Sequence, residues 1–471
     1  MEQSTQGIQQ HLDDLYEEAG YWHVNTGKET IHAKRVPGRF RNLKWLASCI
    51  WLVYLFGPYL RWGERQAVLF DIPNRQYHIF GATVLPQDFW MLSLLLLFFA
   101  ILLAVVTATA GRVWCGYFCF QTVWTDLFTW IEEKFEGPPQ ARRQLDQAPL
   151  LAQLRVKLPK HLIWLLLGAF TGVSFIAWFT DAWAMWGQLF RLELPPVAYV
   201  TIAVYTAFTY VFAGHMREQV CFWLCPYARL QGVMYDKTTV LPTYDLERGE
   251  PRGRVRRGGA AQGAQGDCID CRQCVAVCPT GIDIRHGQQE GCITCALCID
   301  ACNAVMDKVG RPRGLIRYSS LEELEGQRLP VLWQRPRVLV YALIMSLALA
   351  GIVYGLSTLS TLELNVLHER QPLFVLQRDG SVQNKYTLKV LNKTDAPLHV
   401  AIRAEGPPGL ELNGADEPIR VESGRVGTLA VYARVPRERL ATELSAIAFE
   451  VTALERPEVL TRTESVFVGP R

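Results

Sequence analysis

Five apolar stretches, two closely spaced cysteine runs and a tail alternating apolar with polar residues predict a multidomain membrane protein. The predicted architecture is an α-helical transmembrane bundle of five spans, a cytoplasmic bacterial-type two-cluster [4Fe–4S] ferredoxin domain and a C-terminal immunoglobulin-like β-sandwich. The 471 residues suffice for several domains; half are hydrophobic and a fifth charged. The net charge of +3 selects no partner class by itself.

Residues 1–42 form a polar arm of mixed charge with a short amphipathic helix expected around Gln9–Glu18. The arm has no apolar core of the kind a cleavable signal peptide carries. Crossing a bilayer takes ~20 apolar residues, with a range of about 17–25. Leu43–Leu60, Phe89–Gly111, Leu162–Thr180, Val197–Ala213 and Val338–Leu359 qualify. Phe89–Gly111 has 23 uncharged residues, whereas the shorter Val197–Ala213 also fits a buried core helix. Lys and Arg concentrate before span one (Lys28 to Lys44), between spans two and three (Arg112 to Lys160) and after span four (Arg217 to Arg257). That bias puts the N-terminus and the cysteine runs on the cytoplasmic side and, with five spans, the tail outside. The expected domains are thus 1–42, a four-span bundle over 43–225, a linker and ferredoxin domain over 226–334, a fifth span over 335–360 and the sandwich over 361–471.

Two C-x3-C pairs, Cys115/Cys119 and Cys221/Cys225, each follow an inward-running span and are flanked by aromatics. On a helix, residues four apart share a face, so each pair would present two thiols side by side. The four could hold copper or a further metal, relay electrons as thiols, or pack as small hydrophobes. His215 and Met216 beside Cys221 and Cys225 make a candidate copper site, while His161 and His215 also read as helix-end histidines. Cys49, alone in span one, reads as a core residue.

Glu247–Gly266 has the Gly- and Arg-rich composition of a flexible linker. Beside a membrane its basic Arg248–Arg257 run reads as a topology determinant or lipid-headgroup contact, and nucleic acid is not an expected partner. Then come Cys268, Cys271, Cys274, Cys278 and, 13 residues on, Cys292, Cys295, Cys298, Cys302. Each run reads C-x2-C-x2-C-x3-C, the two-cluster signature in which the fourth Cys ligates the other cluster. A thiolate every third residue reaches three irons of a cubane, and Pro279 prevents the first run from continuing as helix. This assigns Cys268, Cys271, Cys274 and Cys302 to one cluster, and Cys292, Cys295, Cys298 and Cys278 to the other. A zinc ribbon would use two separated C-x2-C pairs instead. All 13 cysteines precede the last span, in membrane or reducing cytoplasm, where thiols stay available for metal. In the tail, Tyr386–Asn392, Pro397–Ala404, Gly427–Pro436 and Ser445–Leu454 alternate at period two between turn signals, the pattern of a sandwich.

The run Trp114-Cys115-Gly116-Tyr117-Phe118-Cys119-Phe120-Gln121-Thr122-Val123-Trp124, the run Cys221-Phe222-Trp223-Leu224-Cys225-Pro226-Tyr227-Ala228-Arg229 and the doubled ferredoxin run resemble one family. It is the FixG/RdxA/CcoG-type cytochrome c oxidase accessory proteins of bacteria, and the resemblance extends from about Val36 onward. It implies a membrane iron–sulfur protein acting in oxidase assembly, a cupric reductase that turns Cu(II) into Cu(I). It implies clusters held by the eight ferredoxin cysteines, with Cys115, Cys119, Cys221 and Cys225 matching the family's membrane-edge cysteines. Implied partners are membrane lipid, cytochrome oxidase subunits or copper chaperones, and an unnamed electron donor; a homo-oligomer is compatible. Two other readings stand beside it: a quinol-dehydrogenase-type conduit, and an assembly scaffold with structural clusters.

Overall fold

The computed structural model describes residues 31, 33–63, 65–73, 75–80, 82–84, 89–253, 266–289, 291–328, 330–358, 361–394, 396–440 and 442–470. The helix expected around Gln9–Glu18 and residues 254–265 of the Gly/Arg-rich stretch lie outside them. The chain divides into two units. One comprises the chain up to Leu60 with Leu94–Leu349, the other Arg61–Ser93 with Ala350–Arg471.

Among the described residues four helices are long and apolar enough to cross a membrane: Phe89–Ala110, Leu150–Ile176, Pro196–Met216 and Pro336–Ser357. They coincide with four of the five expected spans. The stretch expected as span one forms two shorter helices, Arg39–Ser48 and Trp51–Phe56. Between them Cys49 and Ile50 keep right-handed helical angles, and tighter bonds close the joint: Ile50 N–H to Ala47 O, Leu52 N–H to Cys49 O. Cys49 is exposed rather than a core residue, and its thiol donates to Trp45 O at 3.5 Å.

Helix Leu150–Ile176 carries Gly168 and Gly172 four residues apart, facing Thr206 and Ile202 of Pro196–Thr209. A Cβ at Gly172 would stand 2.9 Å from Ile202 O, so the glycines let the two backbones approach. Phe120–Glu136 is amphipathic and too charged to span; its apolar side stacks Phe128 on the buried Trp164 at 5.1 Å. Its acidic side collects the basic residues that the sequence offers as topology determinants. Asp126 meets Arg35 at 3.1 Å, Arg41 at 2.9 Å and Lys44 at 3.6 Å. Glu132 meets Arg142, Lys160 and Arg217, all nearly fully buried. Burial opposes the charge on Asp126, but Lys44, Arg41 and Arg35 outweigh it and lower the carboxyl to about 2. Its folded value lies below the unfolded one, so its stabilisation is complete above pH ~4 and fades as pH falls toward ~2. Asp126→Asn should cost ~3–5 kcal/mol at neutral pH by leaving buried cations uncompensated. Thermal unfolding in detergent at pH 7 and pH 3 checks this: the gap between variant and wild type should narrow at pH 3.

The cysteine runs sit beside an antiparallel strand pair, Leu241–Tyr244 with Ile316–Ser319. Residues 247–253, expected as flexible linker, are instead tied down. Asp245 caps a helical turn Leu246–Gly249, and Gly253 N–H bonds to Cys268 O. Composition misled here because Gly and Arg serve a backbone that pairs with the first run.

In the second unit, one sheet orders Glu411–Asn413, Val426–Pro436, Ser381–Asn392 and Leu362–His368, with Val375–Leu376 off Ser381–Asn392. The other orders Ile419–Val421, Leu398–Glu405, Leu444–Ala453 and Leu460–Val468. Val382, Tyr386, Leu388, Val390, Val431, Phe449 and Phe467 fill the space between. All four strands expected from period two are present. The loop from Arg61 onward also contains a three-stranded sheet, Val68–Asp71, Gln76–Ile79 and Ala82–Val84, that the sequence reading left out. Its strands are too short for periodicity to register. Gln76 Nε2 donates to Gly424 O of the sandwich at 3.1 Å.

Candidate functional site

Each cysteine run wraps a hollow, and each hollow draws its fourth thiol from the other run. Cys268, Cys271, Cys274 and Cys302 line one of about 340 Å³. Cys278, Cys292, Cys295 and Cys298 line a second of about 350 Å³, whose wall Cys274 also reaches. The crossed sharing follows from local backbone. Asp270 and Arg272 have φ of 50° and 54°, and Thr294 and Ala296 have 56° and 57°, the same two positions in each run. Left-handed backbone costs a non-glycine residue roughly 1–2 kcal/mol. It curls the loop so that three thiols face inward, and it turns amides inward too: Thr294 N–H donates to Cys292 Sγ at 3.4 Å. Around its third Cys, Cys274, the first run makes only the short helix Gln273–Ala276, which stops ahead of Pro279. The second run has Asn303 where the first has proline, so helix Leu297–Val309 runs straight through Cys302.

These donor sets fit clusters better than single ions. Among the described residues no three His, Cys, Asp or Glu side chains stand close enough to share one metal ion, as zinc with ~2.3 Å bonds to sulfur would need. Four thiols spread around a hollow suit a larger inorganic core. Burial, with Asp283 adding for Cys274, pushes the Cys274, Cys292 and Cys302 thiols up to about 12, and Cys298 well up. Such thiols ionise when metal compensates their charge. The eight cysteines would hold the groups, which supply one-electron redox chemistry when bound.

The two C-x3-C pairs do not lie along single helix faces as expected. Cys115 sits in the middle of the short helix Val113–Tyr117, and Cys119 is extended (φ −61°, ψ 129°) as the N-cap of Phe120–Glu136. Cys221 lies in a π-helical turn, Val220–Leu224, and Cys225 is extended (φ −84°, ψ 107°) before Pro226. A residue preceding proline is pushed out of helical geometry. Both pairs thus share one shape, a short turn and then an extended Cys opening the next helix. The four thiols lie near enough to feel one another's charge, although no three of them stand close enough to share one metal ion. Burial raises Cys221 to about 12, and Cys119, Cys115 and Cys225 add to the rise. Cys115 also rises to about 12 through burial and Cys119, and its Sγ donates to Gln231 Oε1 at 3.4 Å. His215 lies against His161 (5.8 Å between ring centroids), and Tyr210 Oη is 3.0 Å from His161 Nδ1.

Sequence reasoning missed how directly this thiol group abuts the second hollow. A Cβ on Gly116 would come within 2.5 Å of Ile293 O and 3.0 Å of Cys295 N, so only glycine fits there. Tyr117 Oη donates to Cys295 O at 3.2 Å, and Arg112 N–H to Thr294 Oγ1 at 3.1 Å. Val277, Ile293, Cys295 and Leu297 pack around Cys115. The one signal in the sequence was Gly116 itself, a glycine set inside a cysteine pair.

Apolar membrane-length helices, eight thiols around two hollows and a separate β-sandwich define a membrane iron–sulfur protein of electron transfer. Residues 216–321 match the 4Fe-4S dicluster domain, residues 92–138 a 4Fe-4S binding domain, and residues 352–470 the IG-like fold at the C-terminal of FixG. The nitrogen fixation protein FixG of Rhizobium meliloti is 41% identical over 478 residues, covering 91% of this chain and 91% of its own. Protein RdxB of Cereibacter sphaeroides is 42% identical (82% of this chain, 84% of its own), and RdxA of the same organism 39% (86% and 89%). The chain belongs to the FixG/RdxA family.

Proposed function

We propose that the protein passes single electrons from its iron–sulfur unit by way of Cys115, Cys119, Cys221 and Cys225 to Cu(II), reducing it to Cu(I) for cytochrome oxidase assembly. The observation that carries this is the seating of Gly116 on Ile293 and Cys295, which leaves no side chain between the thiol loop and the second hollow. Copper itself enters by the family resemblance and by the affinity of thiolates for Cu(I). Oxidase subunits or copper chaperones would receive the product. On this reading residues 39–59 are a fifth, bent span, the cysteine runs face the cytoplasm and the sandwich faces the periplasm. The buried cations around Asp126 and Glu132 support that sidedness. A second reading, a quinol-dehydrogenase-type conduit, draws on the Tyr210–His161 pair and the exposed His215 near the end of two membrane-length helices.

An anaerobic iron, sulfide and copper count on detergent-purified protein is the first test. About eight irons with matching sulfide are expected from two clusters of four. Metal beyond that would belong to the four membrane-edge cysteines. Stoichiometric zinc with negligible iron would overturn the redox reading.

A further inference from the structure

Arg35, Arg41, Lys44 and Arg217 enter the sequence reading only as topology charges, before span one and after span four. In the fold all four line one cavity of about 650 Å³ inside the first unit. Small-molecule sites commonly enclose about 300–1,000 Å³. The polar arm, helix Arg39–Ser48, helix Phe120–Glu136 and the cysteine runs all contribute to its lining. Thr280, Ile293 and Leu297 line both this cavity and the second hollow, so the two spaces share those residues. Cys221, one of the membrane-edge thiols, lines the cavity as well.

Charge decides what such a space accepts. Four cations line it against two carboxylates, Asp126 and Glu218. Glu133 and Glu132 hold Arg35 at 3.7 Å and Arg217 at 2.9 Å without lining it. Despite these partners, Arg35 Nη2, Arg41 Nε and Arg217 Nη1 are buried with no hydrogen-bond partner among the described residues. Unpaired charged donors are costly to bury, so three guanidinium groups at one cavity call for an anion with several oxygens. Guanidinium forks match carboxylates in particular. The excess of cations repels a free metal ion. Among the described residues, none from the four membrane-length helices lines the cavity, which favours a dissolved anion over a lipid headgroup.

We infer that this cavity binds a small polycarboxylate beside Cys221, and that Cu(II) enters it as the anionic chelate of such a ligand. The inference rests on the copper-reduction reading and names the form of its substrate. Oxygen donors suit Cu(II) and thiolates suit Cu(I), so reduction moves the ion from chelate to sulfur. One electron from the reduced iron–sulfur unit converts Cu(II) to Cu(I). Copper–oxygen bonds break, a copper–sulfur bond forms at Cys221, and the thiol proton passes to a freed carboxylate.

The test has two arms, both on the full-length protein. In the first, without copper, equilibrium dialysis of radiolabelled citrate is run on protein in phosphatidylcholine nanodiscs. Saturable binding is expected, weakened roughly tenfold by Arg41→Gln, as loss of one hydrogen bond between charged groups implies. Should Arg41→Gln lose iron, Arg35→Gln carries the same comparison. Absence of saturable binding, or equal binding by the iron-replete variant, would overturn the inference. So would binding that vanishes in phosphatidylglycerol nanodiscs, which would give the cavity to a lipid headgroup. In the second arm, dithionite-reduced protein freed of excess reductant meets either Cu(II) citrate or the cationic Cu(II)–ethylenediamine complex, and Cu(I) formation is timed. The variant should lower the ratio of citrate to ethylenediamine rates roughly tenfold, a ratio from which the intrinsic reducibility of each complex cancels. An unchanged ratio would overturn the chelate as substrate. Citrate binding with neither complex reduced would confirm the polycarboxylate site and overturn the copper reading, and with it copper as the cargo.

Discussion

Replacing Cys225 with alanine is expected to leave about eight irons in the purified protein and to abolish Cu(II) reduction. Cys225 lines neither hollow, so the iron–sulfur unit keeps all its donors. Its extended backbone is set by Pro226, not by its own side chain, and alanine adopts the same angles. What disappears is one of the four membrane-edge thiols. The assay is anaerobic Cu(I) formation by dithionite-reduced protein, freed of excess reductant and monitored with a Cu(I)-specific chromophore. Copper reduction at the wild-type rate in an iron-replete Cys225→Ala protein would remove the membrane-edge cysteines from the proposed path.

Gly116→Ala should be nearly as damaging although it adds only a methyl group. That methyl would have to occupy a position 2.5 Å from Ile293 O, and the opposing atoms are backbone, which cannot rotate aside. Either the Cys115 loop or the second cysteine run must move, at a cost typical of overpacking, ~1–3 kcal/mol. Separation of the two groups should slow electron delivery to copper at least tenfold while the iron count stays near wild type. Stopped-flow decay of the reduced iron–sulfur signal on mixing with Cu(II) gives the rate. A wild-type rate with the alanine variant would mean that electrons leave the second hollow by another route.

How much of this could be read in advance differs from residue to residue. The eight ligand candidates were legible because a cluster-binding loop imposes its spacing on consecutive residues, and the crossed assignment matches the two sets of thiols that line the hollows. The left-handed residues 270, 272, 294 and 296 were not legible, since Asp, Arg, Thr and Ala carry no signature of such backbone. The C-x3-C pairs were recognised but given the wrong local geometry. Spacing of four suggests a helix face, yet Cys119 and Cys225 each open a new helix instead. The stretch expected as span one was apolar enough, but its helix begins at Arg39, where Asp300 Oδ2 from a distant helix accepts the Arg41 N–H at 2.9 Å.

The sequence by itself determined four membrane-length helices, the two cysteine runs and the alternating strands of the tail. Each is written in neighbouring residues, through length and apolarity, through cysteine spacing and through period two. Only the tertiary structure decided that Gly116 touches Cys295 and that the Arg112 N–H reaches Thr294 in the second cysteine run. Those contacts join segments more than a hundred residues apart. Close packing and buried charge decide them, and neither leaves a periodic trace along the chain.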